Sequence, residues 1–295
     1  MTKQTVHITI IIPTYNRAAT IGKTIDSFIA QDYKDWDLLV VDDNSIDNTH
    51  EMIELYHQRD TRIHYLLNER KKGAQGARNT GISHAQKEWV CIFDSDDYAH
   101  PEMLTKMAET IKDDVDVVCC FMNVVNVDSR KIVTVFNWCN EGDIHKELLI
   151  GERYVGFDMA IIRKSKLLDI GLLDEDCPSM QEWDTHIRLS RIANYTTVQE
   201  PLVDYYVNGK DAISTDTRRE VKGCLYVFRK HREEWRKDKN AVDFFVTNTY
   251  SMIRKNSNTW FRIVSLVKLI GLAPHAIIHV IKYRWMYIKK KVIRF

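Results

Sequence analysis

Trp89-Val90-Cys91-Ile92-Phe93-Asp94-Ser95-Asp96-Asp97 is a short apolar run that empties into three carboxylates. A buried strand rarely ends in so much negative charge unless something positive sits beside it. If strand geometry persists to the end of the run, Asp94 and Asp96 point the same way. Asp97 then offers a further pair of oxygens nearby. Hard cations such as Mg²⁺ take oxygen ligands, often one or two carboxylates plus substrate phosphates. The run therefore predicts a divalent-cation site at a strand end, suited to a reaction whose leaving group is a diphosphate. An acidic helix N-terminus would explain one aspartate, as a cap or as a partner of the helix dipole, but it fits three poorly.

Upstream, the sequence alternates between strand-like and helix-like patterns. His7–Ile12, Asp37–Val41, Ile63–Leu67 and Trp89–Phe93 read as strands, with the near-continuous Ile, Val and Leu content of parallel strands covered on both faces. Helical patterns lie between them at about 19–31, 46–58 and 74–86. This order predicts an α/β fold with a mostly parallel central sheet, flanking helices and right-handed crossovers. Ligands of such sheets bind outside the carboxyl ends of the strands. There the sequence places Pro13-Thr14-Tyr15-Asn16, Asp42-Asp43-Asn44-Ser45, Asn68-Glu69 and the acidic run itself. Downstream, a helix near 101–112 precedes a strand at Val115–Met122, with Ile132–Phe136 returning against it. A strand around Val155–Ile162, a short helix from Lys164, a helix near 181–193 and strands near 196–199 and 203–207 complete a body of residues 1–215. Residues 216–295 form a helical C-terminal extension.

Composition divides the chain in the same place. The formal net charge of +1 over 295 residues hides an asymmetry: Phe244 to Phe295 holds ten Lys or Arg and no Asp or Glu. The remainder carries 32 basic against 41 acidic residues, a net of −9. A basic tail on an acidic body points to an anionic partner. In the tail, Ile277, Ile281, Trp285, Ile288, Val292 and Phe295 recur at three- or four-residue steps and form one stripe. Lys282, Arg284, Lys289, Lys290, Lys291 and Arg294 flank it. The longest uncharged run here, Leu269–Ile281, has 13 residues, short of the roughly 20 needed to span a bilayer. The expectation is a membrane-associating amphipathic helix on an anionic surface. Nucleic acid is not expected as a partner, because no recognition motif accompanies the charge. The six cysteines show no CxxC pair, the usage of a reducing compartment, and the first residues carry no signal-peptide pattern. Both features suggest the cytoplasm.

Four motifs together resemble the family 2 glycosyltransferases, inverting enzymes of the GT-A fold, over about Val6 to Ser214. They are Ile11-Ile12-Pro13-Thr14-Tyr15-Asn16, Val40-Val41-Asp42-Asp43-Asn44-Ser45, Gly76-Ala77-Arg78-Asn79-Thr80-Gly81 and Asp94-Ser95-Asp96-Asp97. The resemblance implies that Pro13, Thr14, Tyr15 and Asn16 wall the base and ribose of a nucleotide sugar. It also implies that Asp43 accepts a hydrogen bond from a uracil ring, which favours UDP, and that Arg78 lies beside the nucleotide. Asp94 would sit near the ribose or donor sugar. Asp96 would be the best ligand of a Mn²⁺ or Mg²⁺ ion, with Asp94 and Asp97 in support.

The resemblance further implies a general base at the start of a helix, in the stretch Met180-Gln181-Glu182-Trp183-Asp184. Glu182 holds the base position, where relatives usually carry Asp, one methylene shorter. Asp184 is the rival, although its spacing to Arg188 suits an ordinary i,i+4 ion pair, and Glu182 has a similar option with His186. At Asn208 many relatives carry a histidine able to reach the metal or diphosphate, and Lys210 could face the same group. The expected activity is transfer of a sugar to a hydroxyl of a lipid-linked glycan or polysaccharide in surface-polysaccharide synthesis. The expected location is the cytoplasm, peripheral on the inner face of the cell membrane. The alternative is a non-catalytic nucleotide-sugar-binding or scaffold protein, for which the departures at Glu182 and Asn208 speak. A sugar-1-phosphate nucleotidyltransferase would show a Gly- and basic-rich loop after the first strand, which is lacking here.

Overall fold

Ile8, Ile10, Ile11 and Ile12 are all fully buried, which alternating side-chain directions allow only in a strand covered on both faces. They belong to β1 (Ile8–Thr14) of a computed structural model that describes residues 6–207 and 217–274. β2 (Trp36–Asp42) and β4 (Trp89–Ile92) flank β1 in parallel, and β3 (Ile63–Leu67) lies parallel beyond β2. α1 (Ile21–Ile29), α2 (Thr49–Arg59) and α3 (Ala74–His84) make the crossovers. The chain thus leaves β1 on one side for β2 and β3, then returns to set β4 on the other. Such a reversal opens a crevice at the carboxyl ends of β1 and β4, the switch point at which α/β sheets bind ligands.

The sheet continues through shorter and partly antiparallel pieces. They are β5 (Tyr98–Ala99), α4 (Met103–Thr110), β6 (Val117–Asn126), β7 (Ile132–Phe136), α5 (His145–Leu149), β8 (Ala160–Arg163), α6 (Lys164–Asp169), α7 (Gln181–Leu189) and β9 (Tyr195–Val207). The strand order is β3-β2-β1-β4-β8-β6-β9-β5, with β7 on β6. β8 runs antiparallel between β4 and β6, while β6 and β9 are parallel. The parallel half is as the sequence pattern predicts, and the later strands make the whole sheet mixed. The two strands expected at 196–199 and 203–207 are one, β9, whose pairing with β6 shifts register around Pro201. The strand expected over 155–162 shrinks to Ala160–Arg163, and Val155 to Met159 approach it outside the ladder.

The described chain groups into two units. The first comprises residues 6–145, 153–175 and 185–207; the second comprises residues 146–152, 176–184 and 217–274. In the second unit α8 (Thr217–Trp235), α9 (Lys239–Lys255) and α10 (Thr259–Leu272) follow in sequence. Phe228 stacks on Phe245 with ring centroids 3.8 Å apart, and Trp235 Nε1 donates to the Leu149 carbonyl. Asp238 caps α9 and Asn258 caps α10 through side-chain oxygens. Among the described residues no helix is long and apolar enough to cross a membrane. The expected tail stripe of residues 277–295, with Asn208 and Lys210, lies outside the described residues.

Two glycines of the 76–81 motif seat α3. A Cβ at Gly81 would fall 2.4 Å from Ile11 Cγ2 on β1, and one at Gly76 would fall 1.9 Å from the Lys71 carbonyl oxygen. A side chain at Gly76 would force the Lys71 backbone to shift, and one at Gly81 would force the packed Ile11 side chain to move. Gly81→Ala should therefore lose about 1–3 kcal/mol by overpacking, read as a lower urea midpoint with an unchanged slope. An unaltered midpoint would show that α3 does not depend on this close approach.

Candidate active site

At the carboxyl end of β1 the backbone is shaped by an asparagine. Asn16 has φ 52°, in the left-handed region that Asn tolerates better than most residues. Its N–H donates to Ser45 Oγ, and its Oδ1 accepts from the Ile46 N–H, so the ends of β1 and β2 are tied together. Pro13 falls beyond the last β1–β4 pair, where its missing N–H costs no ladder bond. Tyr15 stays partly exposed, with Lys72 Nζ 5.1 Å from its ring centre.

The adjacent aspartates Asp42 and Asp43 divide their work. Asp42 is committed to structure: one oxygen accepts from the Ser45 N–H and Oγ, the other from the Tyr65 hydroxyl. Asp43 accepts from Asn68 Nδ2 at 2.7 Å and from the Gly73 N–H at 2.8 Å. Those two bonds leave lone-pair sites on a carboxylate that can accept about four. Asp43 does not cap α2, which begins only at Thr49.

The acidic run departs from strand geometry. β4 ends at Ile92, and the chain turns at Ser95-Asp96, so the alternation expected to align Asp94 with Asp96 is lost. Asp96 faces outward with a side chain 54% exposed, 3.9 Å from Arg17 Nη2. Asp97 instead turns inward and is buried. Its Oδ1 accepts from the Tyr206 N–H, its carbonyl accepts from Thr24 Oγ1, and its Oδ2 is buried without a hydrogen-bond partner. Sequence reasoning missed a fourth carboxylate, Asp158. It is buried just ahead of β8, and its Oδ1 accepts from the Asp94 N–H. Its only signal was an acid inside the apolar stretch Val155–Ile162.

Asp94, Asp97 and Asp158 each offer one oxygen, and these oxygens lie within 4.8 Å of one another. Arg78 is the cation beside them. Its Nη2 pairs with Asp94 and its Nη1 donates to Gln75 Oε1, while the guanidinium lies 4.8 Å from the Phe157 ring centre. Asn79 acts elsewhere, exchanging hydrogen bonds with the Leu173 backbone. Burial pushes Asp97 and Asp158 well above the usual carboxylate range. Repulsion from Asp158 adds to the rise at Asp97, and repulsion from Asp94 adds to it at Asp158. An oxygen-only donor set with one orphaned buried carboxylate oxygen fits a hard divalent cation.

In the second unit, Glu182 sits in the first turn of α7, at intermediate exposure. Asp184 is fully buried, pairing with Lys230 Nζ at 2.9 Å and His231 Nε2 at 2.8 Å. Arg188, expected as its helix partner, gives Nη1 to the carbonyls of Ile170 and Leu172. His186 is buried with Nδ1 3.0 Å from the Tyr195 hydroxyl, and burial lowers it to about 3. A charged imidazole for an ion pair with Glu182 is therefore not available at neutral pH.

The family model described as glycosyl transferase family 2 matches residues 9–171, more than half of the chain. The chain belongs to this family. One relative is the Escherichia coli UDP-Glc:alpha-D-GlcNAc-diphosphoundecaprenol beta-1,3-glucosyltransferase WfgD, 44% identical over 90 residues. That match covers 30% of this chain and 35% of the relative, so the chain spans about a third of that relative's length. Among solved structures, S. aureus TarS in complex with UDP-GlcNAc aligns with TM-score 0.61 and 18% identity over 92% of this chain and 90% of that one. Mannosyltransferase PcManGT from Pyrobaculum calidifontis, in complex with GDP-Man and Mn²⁺, aligns with TM-score 0.60 and 18% identity over 96% and 80%. At these identities the likeness is one of fold, and the fold is GT-A.

The crowded acids carry a pH signature. Their folded-state values lie above the ordinary carboxylate value, so on acidification the folded protein takes up their protons before the unfolded chain does. Stability of the cation-free protein should then rise as pH falls through the raised values and drop as pH rises through them. Asp158→Asn keeps an acceptor for the Asp94 N–H and removes one charge. In EDTA the variant should melt higher than wild type at pH above the ordinary carboxylate range, with a flatter profile there. It should also gain less from added Mn²⁺. A variant that melts lower at every pH above that range would contradict the crowding.

Proposed function

We propose that this chain is an inverting, metal-dependent glycosyltransferase that moves a sugar from a UDP-linked donor to a hydroxyl of a lipid-linked glycan or polysaccharide acceptor. The observation that carries the reading is the carboxylate cluster at the β1/β4 switch point of a family 2 chain. Tyr15 and Asn16, with Pro13 and Thr14, form the wall for base and ribose. Asp43 has lone pairs left for a uracil N–H. Asp94, held by Arg78, faces the ribose or donor sugar. Asp96, Asp94 and Asp97 would hold Mn²⁺ or Mg²⁺, Asp94 and Asp97 from the cluster they share with Asp158 and Asp96 from the exposed side of the turn. The bound ion would offset charge growing on the diphosphate as the glycosidic bond breaks.

Glu182 is the general base in this reading. It takes the proton of the acceptor hydroxyl as the oxygen attacks the anomeric carbon opposite the departing diphosphate. Burial of Asp184 between Lys230 and His231 supports Glu182 over its rival. The acceptor class follows the E. coli relative, whose name specifies a diphosphoundecaprenol-linked sugar. A lipid-linked acceptor and the basic tail of residues 277–295 favour a cytoplasmic enzyme, peripheral on the inner face of the cell membrane, in surface-polysaccharide synthesis.

The test is release of nucleoside diphosphate from a panel of nucleotide sugars, with and without Mn²⁺. UDP-sugars should be turned over in a metal-dependent manner, and silence across the whole panel would end the proposal. Glu182→Gln should keep donor affinity and lose about 10²–10⁴-fold in turnover, because a base acts on the transition state. Asp184→Asn should lower the melting temperature while the folded fraction still turns over. An active Glu182→Gln beside a well-folded but dead Asp184→Asn would transfer the role to Asp184.

A further inference from the structure

α10 presents two faces, and the described residues of its own unit cover only one. Ser265 and Leu269 are buried on the side that packs with α8 and α9. On another side Trp260, Ile263 and Val267 are 73%, 48% and 65% exposed. Steps of three and four residues align them in one stripe. Single exposed apolar residues are ordinary on protein surfaces, whereas three large ones in line mark an interaction surface.

The surrounding charge selects the partner. α10 carries Arg262 and Lys268 and no acid, and α9 ends in Arg254-Lys255. The wider stretch from Phe244 to Phe295 holds ten basic residues and no acidic one. An apolar stripe set in a field of one sign is the pattern of a helix lying on anionic lipid. Length excludes a span. At about 1.5 Å per residue the 14 residues of α10 reach roughly 21 Å, against a hydrocarbon core of about 30 Å. Tryptophan, the most exposed member of the stripe, is the side chain enriched at the membrane–water boundary.

We propose that α10 is an in-plane membrane-docking helix. Trp260, Ile263 and Val267 enter the interface of an anionic bilayer, and Arg262 and Lys268 meet its headgroups. The assignment concerns a folded element distinct from the tail at 277–295, and it does not depend on the glycosyltransferase reading.

The test uses the full-length chain and vesicles of phosphatidylcholine with or without phosphatidylglycerol. Wild type should float with the anionic vesicles. The triple variant Trp260→Ser, Ile263→Ser, Val267→Ser should lose at least about tenfold in partitioning with its tail intact. Its melting temperature should be unchanged. A variant that floats like wild type overturns the proposal. So does a wild type that ignores anionic vesicles but self-associates through this stripe, becoming monomeric in the variant. A second measurement covers the case in which the triple variant unfolds. In a Trp285→Phe background, brominated phosphatidylglycerol should quench fluorescence that disappears on adding Trp260→Phe. Trp260 emission that bromolipid leaves untouched overturns the proposal as well.

Discussion

Three carboxylates gathered at the end of one strand repel each other, and the local architecture is organised around containing that repulsion. Asp97 and Asp158 are buried where ionisation is costly, and Asp94 stands beside both. Containment comes from short-range partners: the Asp94 N–H on Asp158, the Tyr206 N–H on Asp97 and the Arg78 guanidinium on Asp94. Arg78 is carried there by α3, which lies close to β1 because Gly81 has no Cβ to clash with Ile11, and whose first turn meets the Lys71 carbonyl because Gly76 has none either. A motif separated from Asp158 by four strands of the sequence thus shapes the electrostatics of the acidic run. The arrangement leaves one buried oxygen, Asp97 Oδ2, without a donor. A donor-poor group of this kind is stabilised by a cation far more readily than by further hydrogen bonds.

The β1/β2 side of the crevice shows the opposite economy. There the acids are satisfied by neutral donors, and geometry is set by backbone. Asn16 in the left-handed region and the Asp42–Ser45 turn knit the ends of β1 and β2 into one rim. Asp43, tied to Asn68 and Gly73, reaches that rim with its orientation already fixed. A carboxylate held in this way loses little freedom when it accepts one more hydrogen bond, which is the advantage of preorganisation in recognising a polar ring edge.

Much of this was legible in the sequence, and the exceptions have physical causes. Three of the parallel strands, β1, β2 and β4, were visible because burial on both faces imposes a nearly continuous apolar composition, as in Ile8–Ile12 or Trp89–Phe93. β5 has two residues and α5 five, too few to establish any period, so neither left a pattern. β9 read as two strands because Pro201 and the polar residues around it interrupt the alternation, while the ladder itself only shifts register. In the acidic run the chemistry was readable and the directions were not. A turn at Ser95-Asp96 sends Asp96 outward and Asp97 inward, and strand periodicity cannot anticipate where a strand stops. Asp158 was hidden for a related reason: it precedes a strand whose apolar neighbours masked it, and its meaning depends on contacts across more than sixty residues. The partners of Asp184 were equally out of reach, since Lys230 and His231 come from another helix.

The central claim is that the acidic cluster binds a divalent cation and a nucleoside diphosphate as one unit. Linkage makes it measurable, because two coupled ligands change each other's affinity by the same factor, and a cation bridging protein and diphosphate makes that change an increase. Calorimetric titration of UDP into the wild-type protein, with saturating Mn²⁺ and again in EDTA, tests this most directly. The account predicts that Mn²⁺ tightens UDP binding at least about tenfold, that UDP tightens Mn²⁺ binding equally, and that Asp94→Asn abolishes both effects. UDP affinity identical in Mn²⁺ and in EDTA would contradict it.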